Sequence, residues 1–221
     1  MTREDWPSEW SPEEVMEMLR RFEAADPNPR FELNWTSPYT LLVATVLAAR
    51  NLDKVVNRVT AELFKVADTP QKMLALGEEK LRDIIRPISF HRTKAKNIIA
   101  LSRELMERHN GEVPRDMKAL TALPGVGRKT AAIVLNVAFG EPFIPVDTHI
   151  FRVANRTHLA TGKKPEEVEE KLERIIPREW VPRAFRWLVL HGRYVCTARK
   201  PSCGECIICD LCRWDEKACA V

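Results

Sequence analysis

The stretch over residues 123–131, LPGVGRKTA, sets two glycines and a lysine between two apolar runs. Leu123 precedes Pro124 and is biased away from helical backbone, so a helix over 115–123 is predicted to end there. Gly125 and Gly127 permit positive φ and close approach of another molecule to the main chain. Helical periodicity resumes at once in RKTAAIVLNVAFG (128–140). The first N–H groups of that helix lack intrahelical partners and form a natural seat for a phosphate oxygen. A bare GxG is more often only a tight connection. Leu123 and Val126 framing the turn, with Arg128, Lys129 and Thr130 after it, favour the phosphate.

A helix N-terminus disfavours a cation, so Lys129 needs a reason. Bound phosphate would tolerate its charge. The other reason is that the lysine loses the charge to become a nucleophile. At an ordinary pKa near 10.4, only about one lysine in 2,500 is free amine at pH 7. Helix N-terminus and a partly dry pocket both push the value down, and a lowered Lys129 pKa is expected.

VDTHIFRV (146–153) begins another helix, with Asp147 as its N-cap. Asp147 lies one helix and one returning loop after Lys129. An amine and an ionised carboxylate suit attack at an electron-poor sugar carbon, the carboxylate stabilising positive charge on the ring. Capping alone is the plainer reading of Asp147.

The remainder reads as all-α. Ser11-Pro12 with Glu14 forms a capping box, and Ser37-Pro38 and Thr69-Pro70 repeat the polar-cap-then-proline start. Amphipathic stretches follow at 53–67, 91–111 and 165–176, with Gly111 and Gly140 placed as stops. FELNW (31–35) is the best strand candidate and is short and isolated. At 221 residues, 45% hydrophobic and 30% charged, the composition is that of a soluble globular protein of one domain or two small ones. No apolar run approaches the roughly 20 residues of a membrane span. The opening MTREDWPSEW carries no secretory pattern, which points to the cytoplasm.

Charge is uneven. Residues 1–29 carry a net −5 and the remainder +9. Over 181–204 there are five basic residues (Arg183, Arg186, Arg193, Arg199, Lys200) and no acidic one. Such a stretch is either a solvated face or the footprint of a polyanion. Five of the six cysteines crowd into 196–212, a density that suggests metal ligation rather than disulfides in a chain without a leader. Cys196-x6-Cys203-x2-Cys206-x5-Cys212 suits zinc or an iron–sulfur cluster equally by ligand count. Cys203, Cys206, Cys209 and Cys212 form a second, evenly spaced tetrad. Spacing alone does not choose between them.

Taken in order, LPGVGRKTA, VDTHIFRV, LHGRYVC and the x6-x2-x5 cysteine spacing resemble the endonuclease III family of helix-hairpin-helix DNA glycosylases. The resemblance implies two helical lobes with a DNA-binding cleft between them. A six-helix lobe with the helix-hairpin-helix would cover 30–139, and a cluster lobe would join 1–29 to 140–221. Lys129 matches the Schiff-base lysine and Asp147 the catalytic aspartate. Cys196, Cys203, Cys206 and Cys212 match the ligands of a [4Fe-4S] cluster, leaving Cys209 and Cys219 as extras. DNA contacts are implied at Gly125, Val126, Gly127, Arg128, Thr130 and His149. Arg199 and Lys200, in the loop closed by the first two ligands, would touch phosphates.

The implied partner is double-stranded DNA with oxidised pyrimidines or abasic sites, met by a monomer in a bacterial or archaeal cytoplasm. The implied chemistry is base removal by Lys129 followed by β-elimination. Two positions depart from the family. Arg50 stands where a glutamine commonly fills the hole left by the flipped nucleotide, and Phe90 where a leucine often wedges. Arginine only donates hydrogen bonds, so Arg50 is expected to favour an orphaned guanine through O6 and N7. Phe90 has a core role as its alternative. The rival functions are a monofunctional mismatch glycosylase, which a lysine at 129 argues against, and a non-catalytic iron–sulfur DNA-binding or redox-sensing protein.

Overall fold

The computed structural model describes residues 6–220; the first five residues of the acidic N-terminal stretch, and Val221, lie outside them. The described residues form eleven α-helices and no strand. They fall into two compact units, one of Met1–Arg30 with Glu141–Val221 and one of Phe31–Gly140.

The unit over 31–140 is built around α2 (Pro38–Ala48), in which every residue from Tyr39 to Leu47 is buried. A helix apolar all round must be surrounded, and α2 packs against α3 (Asp53–Val66), α6 (His91–His109) and α8 (Arg128–Phe139). Ser37 caps it, accepting from the Thr40 N–H, and Pro38 occupies the first helical position, as the sequence predicts. Gly77, at φ 80, divides α4 (Pro70–Leu76) from α5 (Glu78–Ile84), a short helix that the sequence reading did not anticipate. The predicted helix over 115–123 is shorter than expected: α7 (Met117–Ala122) starts only after Asp116, whose side chain caps it. FELNW forms no strand. Asn57 of α3 holds that segment by accepting from the Asn34 N–H and donating to the Glu32 carbonyl.

The other unit joins chain ends that are far apart in sequence. α1 (Pro12–Ala25) carries the predicted capping box, with Ser11 Oγ accepting from the Glu14 N–H and Glu14 accepting from the Ser11 N–H. α11 (Val181–Tyr194) packs on α9 (Thr148–Thr157), which also meets α10 (Pro165–Ile175). Trp10 is fully buried and donates to the Thr157 carbonyl at 2.7 Å, while Phe22 stacks on Trp187. Polar clasps close the arrangement. Arg213 donates to both Glu14 oxygens at 2.8 and 2.9 Å, and Arg21 to both Asp210 oxygens at 2.6 and 3.0 Å.

Glu14 therefore serves the cap and the clasp together. The Ser11 N–H, and after it the Arg213 guanidinium, hold its carboxyl below the usual glutamate range. Its folded value being depressed, the stabilisation is complete above the ordinary glutamate pKa and fades as pH falls through the folded value. Glu14→Gln should cost about 1 kcal/mol near neutral pH, or roughly 2–4 °C in Tm for a chain of this size. Thermal melts should show this gap closing as pH falls below about 4.3.

Candidate functional site

The hairpin between α7 and α8 is as tight as its glycines suggest. Leu123 ends α7 in extended backbone (φ −70, ψ 140) and accepts from the Val126 N–H at 3.1 Å. Gly125 has φ +77, and a Cβ there would lie 2.8–2.9 Å from the Asn97 side chain of α6. Both conformation and space require glycine at that position. Gly127 differs from expectation: at φ −88 it is an ordinary extended N-cap. A Cβ on it would meet nothing within 4 Å. Its lack of a side chain instead leaves the start of α8, which no side chain caps, open to an incoming group. Val126 is buried beneath the turn, and Gly125, Gly127, Arg128 and Lys129 are exposed, with Thr130 half-buried. Lys129 is thus on the surface and not in the partly dry pocket expected for it.

In the other unit, Asp147 caps α9 as predicted. A single oxygen, Oδ1, accepts from both the His149 N–H (2.9 Å) and the Ile150 N–H (2.8 Å). Capping uses one oxygen, so the structural and chemical readings of this carboxylate do not compete. His149 is half-buried, its Nδ1 3.3 Å from the Arg152 guanidinium. The glycine of LHGRYVC has its reason here: a Cβ on Gly192 would lie 2.9 Å from the His149 main-chain oxygen and from its Cβ. Glycine at 192 lets α11 cross α9 in near contact.

Past α11 the chain enters the cysteine segment. Two arginines one turn apart on α9, which the sequence reading missed, hold it by its carbonyls. Arg152 donates to Gly192 (2.6 Å) and Cys196 (2.9 Å), Arg156 to Thr197 (2.7 Å) and Ala198 (2.8 Å). Arg156 also lies flat over Trp214, 4.4 Å from the ring centre. Their i, i+4 spacing is visible in the sequence, but no feature of it marks carbonyls as their targets. Arg199 and Lys200 are exposed in the loop so held.

Cys209 and Cys219 form a disulfide with Cα atoms 5.8 Å apart. That pairing departs from the expectation of metal ligation alone and removes Cys209 from the evenly spaced tetrad. Cys196, Cys203, Cys206 and Cys212 are free thiols lining one cavity with His191. Burial pushes the Cys206 thiol up to about 11, and the nearby Cys212, Cys196 and Cys203 add to the shift. Burial raises the Cys212 thiol as well, and a cationic centre beside these two groups would reverse the balance. Four cysteines around one cavity supply the ligand count of a [4Fe-4S] cluster, one thiolate to each iron.

Arg50 and Phe90 meet in the unit over 31–140. The Arg50 guanidinium carbon is 5.6 Å from the centre of the Phe90 ring. Phe90 is 60% exposed, which rules out the core role. Lys129 and Asp147 belong to different units.

Comparison with known proteins agrees with these motifs. Residues 43–178 match the family profile of HhH-GPD superfamily base excision DNA repair proteins, and residues 196–212 that of the iron–sulfur binding domain of endonuclease III. Over 202 residues the chain is 55% identical to endonuclease III of Escherichia coli strain K12, covering 91% of this chain and 96% of that protein. The chain belongs to the endonuclease III family. Members of the family are base-excision-repair DNA glycosylases with AP lyase activity that bind a [4Fe-4S] cluster, and this chain is one of them. Endonuclease III of Treponema pallidum strain Nichols is 54% identical, over 90% of this chain and 94% of its own. Among solved structures, a trapped endonuclease III–DNA covalent intermediate in an estranged-adenine complex superposes with a TM-score of 0.83. It is 41% identical and covers 92% of this chain and 96% of that one. No helix among the described residues is long and apolar enough to cross a membrane.

The Gly192 crossing gives a test with an unusual sign. Glycine to alanine inside a helix ordinarily stabilises by roughly 0.8–1 kcal/mol. Gly192→Ala should instead destabilise by about 1–3 kcal/mol, because the new methyl meets main chain that cannot step aside. Thermal melts of the intact holoprotein against the parent read the sign directly.

Proposed function

We propose that this endonuclease III family member acts on double-stranded DNA, removing oxidised pyrimidines and cutting at the abasic sites so formed, with Lys129 as nucleophile. The observation that carries the reading is Lys129 itself, one residue into an uncapped helix start behind a glycine hairpin open to a phosphate. A relative 41% identical has been captured as a covalent intermediate with DNA, which supports a covalent step here.

DNA is bent and the damaged nucleotide flipped out of the stack, a cost partly met by the weaker pairing of a damaged base. The free amine of Lys129 attacks C1′ of the deoxyribose, and the base leaves. Asp147, with Oδ1 committed to the cap, stabilises the positive charge that develops on the sugar and assists proton movement. Loss of the ring oxygen from C1′ gives an imine between Lys129 and the sugar. The imine acidifies the 2′ proton, and β-elimination breaks the strand on the 3′ side. Binding involves Gly125, Val126, Gly127, Arg128, Thr130 and His149, with Arg199 and Lys200 on phosphates. Arg50 faces the orphaned base and Phe90 the opened stack. Cys196, Cys203, Cys206 and Cys212 would hold the [4Fe-4S] cluster, which would fix the segment that presents Arg199 and Lys200. The protein works as a monomer in the cytoplasm of a bacterial or archaeal cell.

Borohydride trapping on an abasic duplex is the direct test. The parent should yield a permanent protein–DNA conjugate and Lys129→Ala none; a parent that never conjugates overturns the reading. Asp147→Asn separates the two jobs of that residue. Asparagine caps as well as aspartate, so Tm should hold while base release slows by at least about a hundredfold.

Arg50→Gln should lower the ratio of rates opposite guanine to rates opposite adenine, by about tenfold if a bidentate contact is lost. Single-turnover assays on four duplexes differing only in the opposing base measure it.

A further inference from the structure

Four described residues other than glycine have positive φ: Arg50, Phe90, Asn110 and His158. Asn110 and His158 end α6 and α9, where left-handed backbone is ordinary. Arg50, at φ 59, comes directly after Ala49, the C-cap of α2, in a position usually given to glycine. Phe90, also at φ 59, is the N-cap of α6, where extended backbone is the rule. Bulky residues persist in this region only where their surroundings over-determine it.

Two side chains do so here. Lys94, on the first turn of α6, is buried and donates from Nζ to the carbonyls of Leu47 (2.9 Å) and Ala49 (2.6 Å). An ammonium thus meets the negative end of α2, which offsets its burial. Asn51 donates to the same two carbonyls, at 2.9 and 3.0 Å, and accepts from the Ser89 N–H at 2.9 Å. Three of these five hydrogen bonds, two from Lys94 and one from the Ser89 N–H, tie the turn holding Arg50 to the segment holding Phe90, and the two that Asn51 donates brace the Arg50 turn itself. Between them the guanidinium lies against the exposed ring, so each side chain restricts the other. No packing need of the free protein accounts for an aromatic ring held in water.

We propose that Arg50 and Phe90 enter damaged DNA as one coupled pair, and that Lys94 and Asn51 are the positioning residues that hold that pair in place. A cation held beside a ring offers the opened stack an apolar face with hydrogen-bond donors next to it. Neither member alone would keep that attitude. The inference rests on the reading of Arg50 and Phe90 as DNA contacts.

The experiment is a double-mutant cycle on binding to a duplex carrying a tetrahydrofuran abasic analogue, at fixed salt. Arg50→Ala and Phe90→Ala should each raise Kd by about tenfold, and the double variant by no more than about threefold beyond the worse single. Effects that multiply, near a hundredfold, would mean independent contacts and overturn the pairing. Singles that leave Kd unchanged would overturn the DNA-contact reading along with it. Positioning is tested by Lys94→Met, with Asn51→Ala as the second variant should the first not fold. Either should weaken binding to the abasic duplex at least about ten times more than binding to the same strand alone, which has no gap to fill. Equal weakening on both substrates marks a general structural role and sinks the positioning claim.

Discussion

A helix cannot satisfy its own ends. Its first N–H groups and last carbonyls need partners from elsewhere, and a chain of short helices faces that demand again and again. The residues proposed to act on DNA sit where the demand is met or left open. Asp147 fills it at the start of α9 and Lys94 at the end of α2. At the start of α8 the glycine hairpin leaves it unfilled, and there stand Arg128 and Lys129. The proposed catalysis and recognition thus draw on positions that a helical fold has to solve anyway.

What the sequence made legible follows from the same source. Caps are local, because a serine, threonine or aspartate must lie within three residues of the N–H it serves. Ser11, Ser37, Thr69 and Asp147 could therefore be read in order, and the first turn of each helix came with them. The hairpin was readable for the same reason. Gly125 uses the freedom of glycine and Gly127 does not, a distinction that depends on Asn97 and on open space, neither of which a motif displays.

Non-local partners were out of reach. α11 was read only as a basic stretch, since its arginines mask a buried face of Val181, Ala184, Phe185 and Leu188. Arg152 and Arg156 carried no signal in the sequence, yet they grip main-chain carbonyls some forty residues on. Spacing offered two cysteine tetrads, and the choice turned on Cys219, which is remote from the repeating pattern. Lys94 is one of two lysines on α6, and nothing in the sequence separates it from Lys96. Its burial is decided by where α2 ends, which is tertiary information.

The clasps of α1 have a bearing on how the molecule is made. Arg21 and Asp210 stand 189 positions apart. At about 5–20 residues per second, a ribosome needs roughly ten to forty seconds to travel between them. During that interval α1 has emerged without the acidic and basic partners that will hold it. The segment over 31–140 is synthesised well before then and can settle first. The thiol-bearing half therefore matures only once Asp210 and Arg213 have been made, and until that moment α1 goes unclaimed.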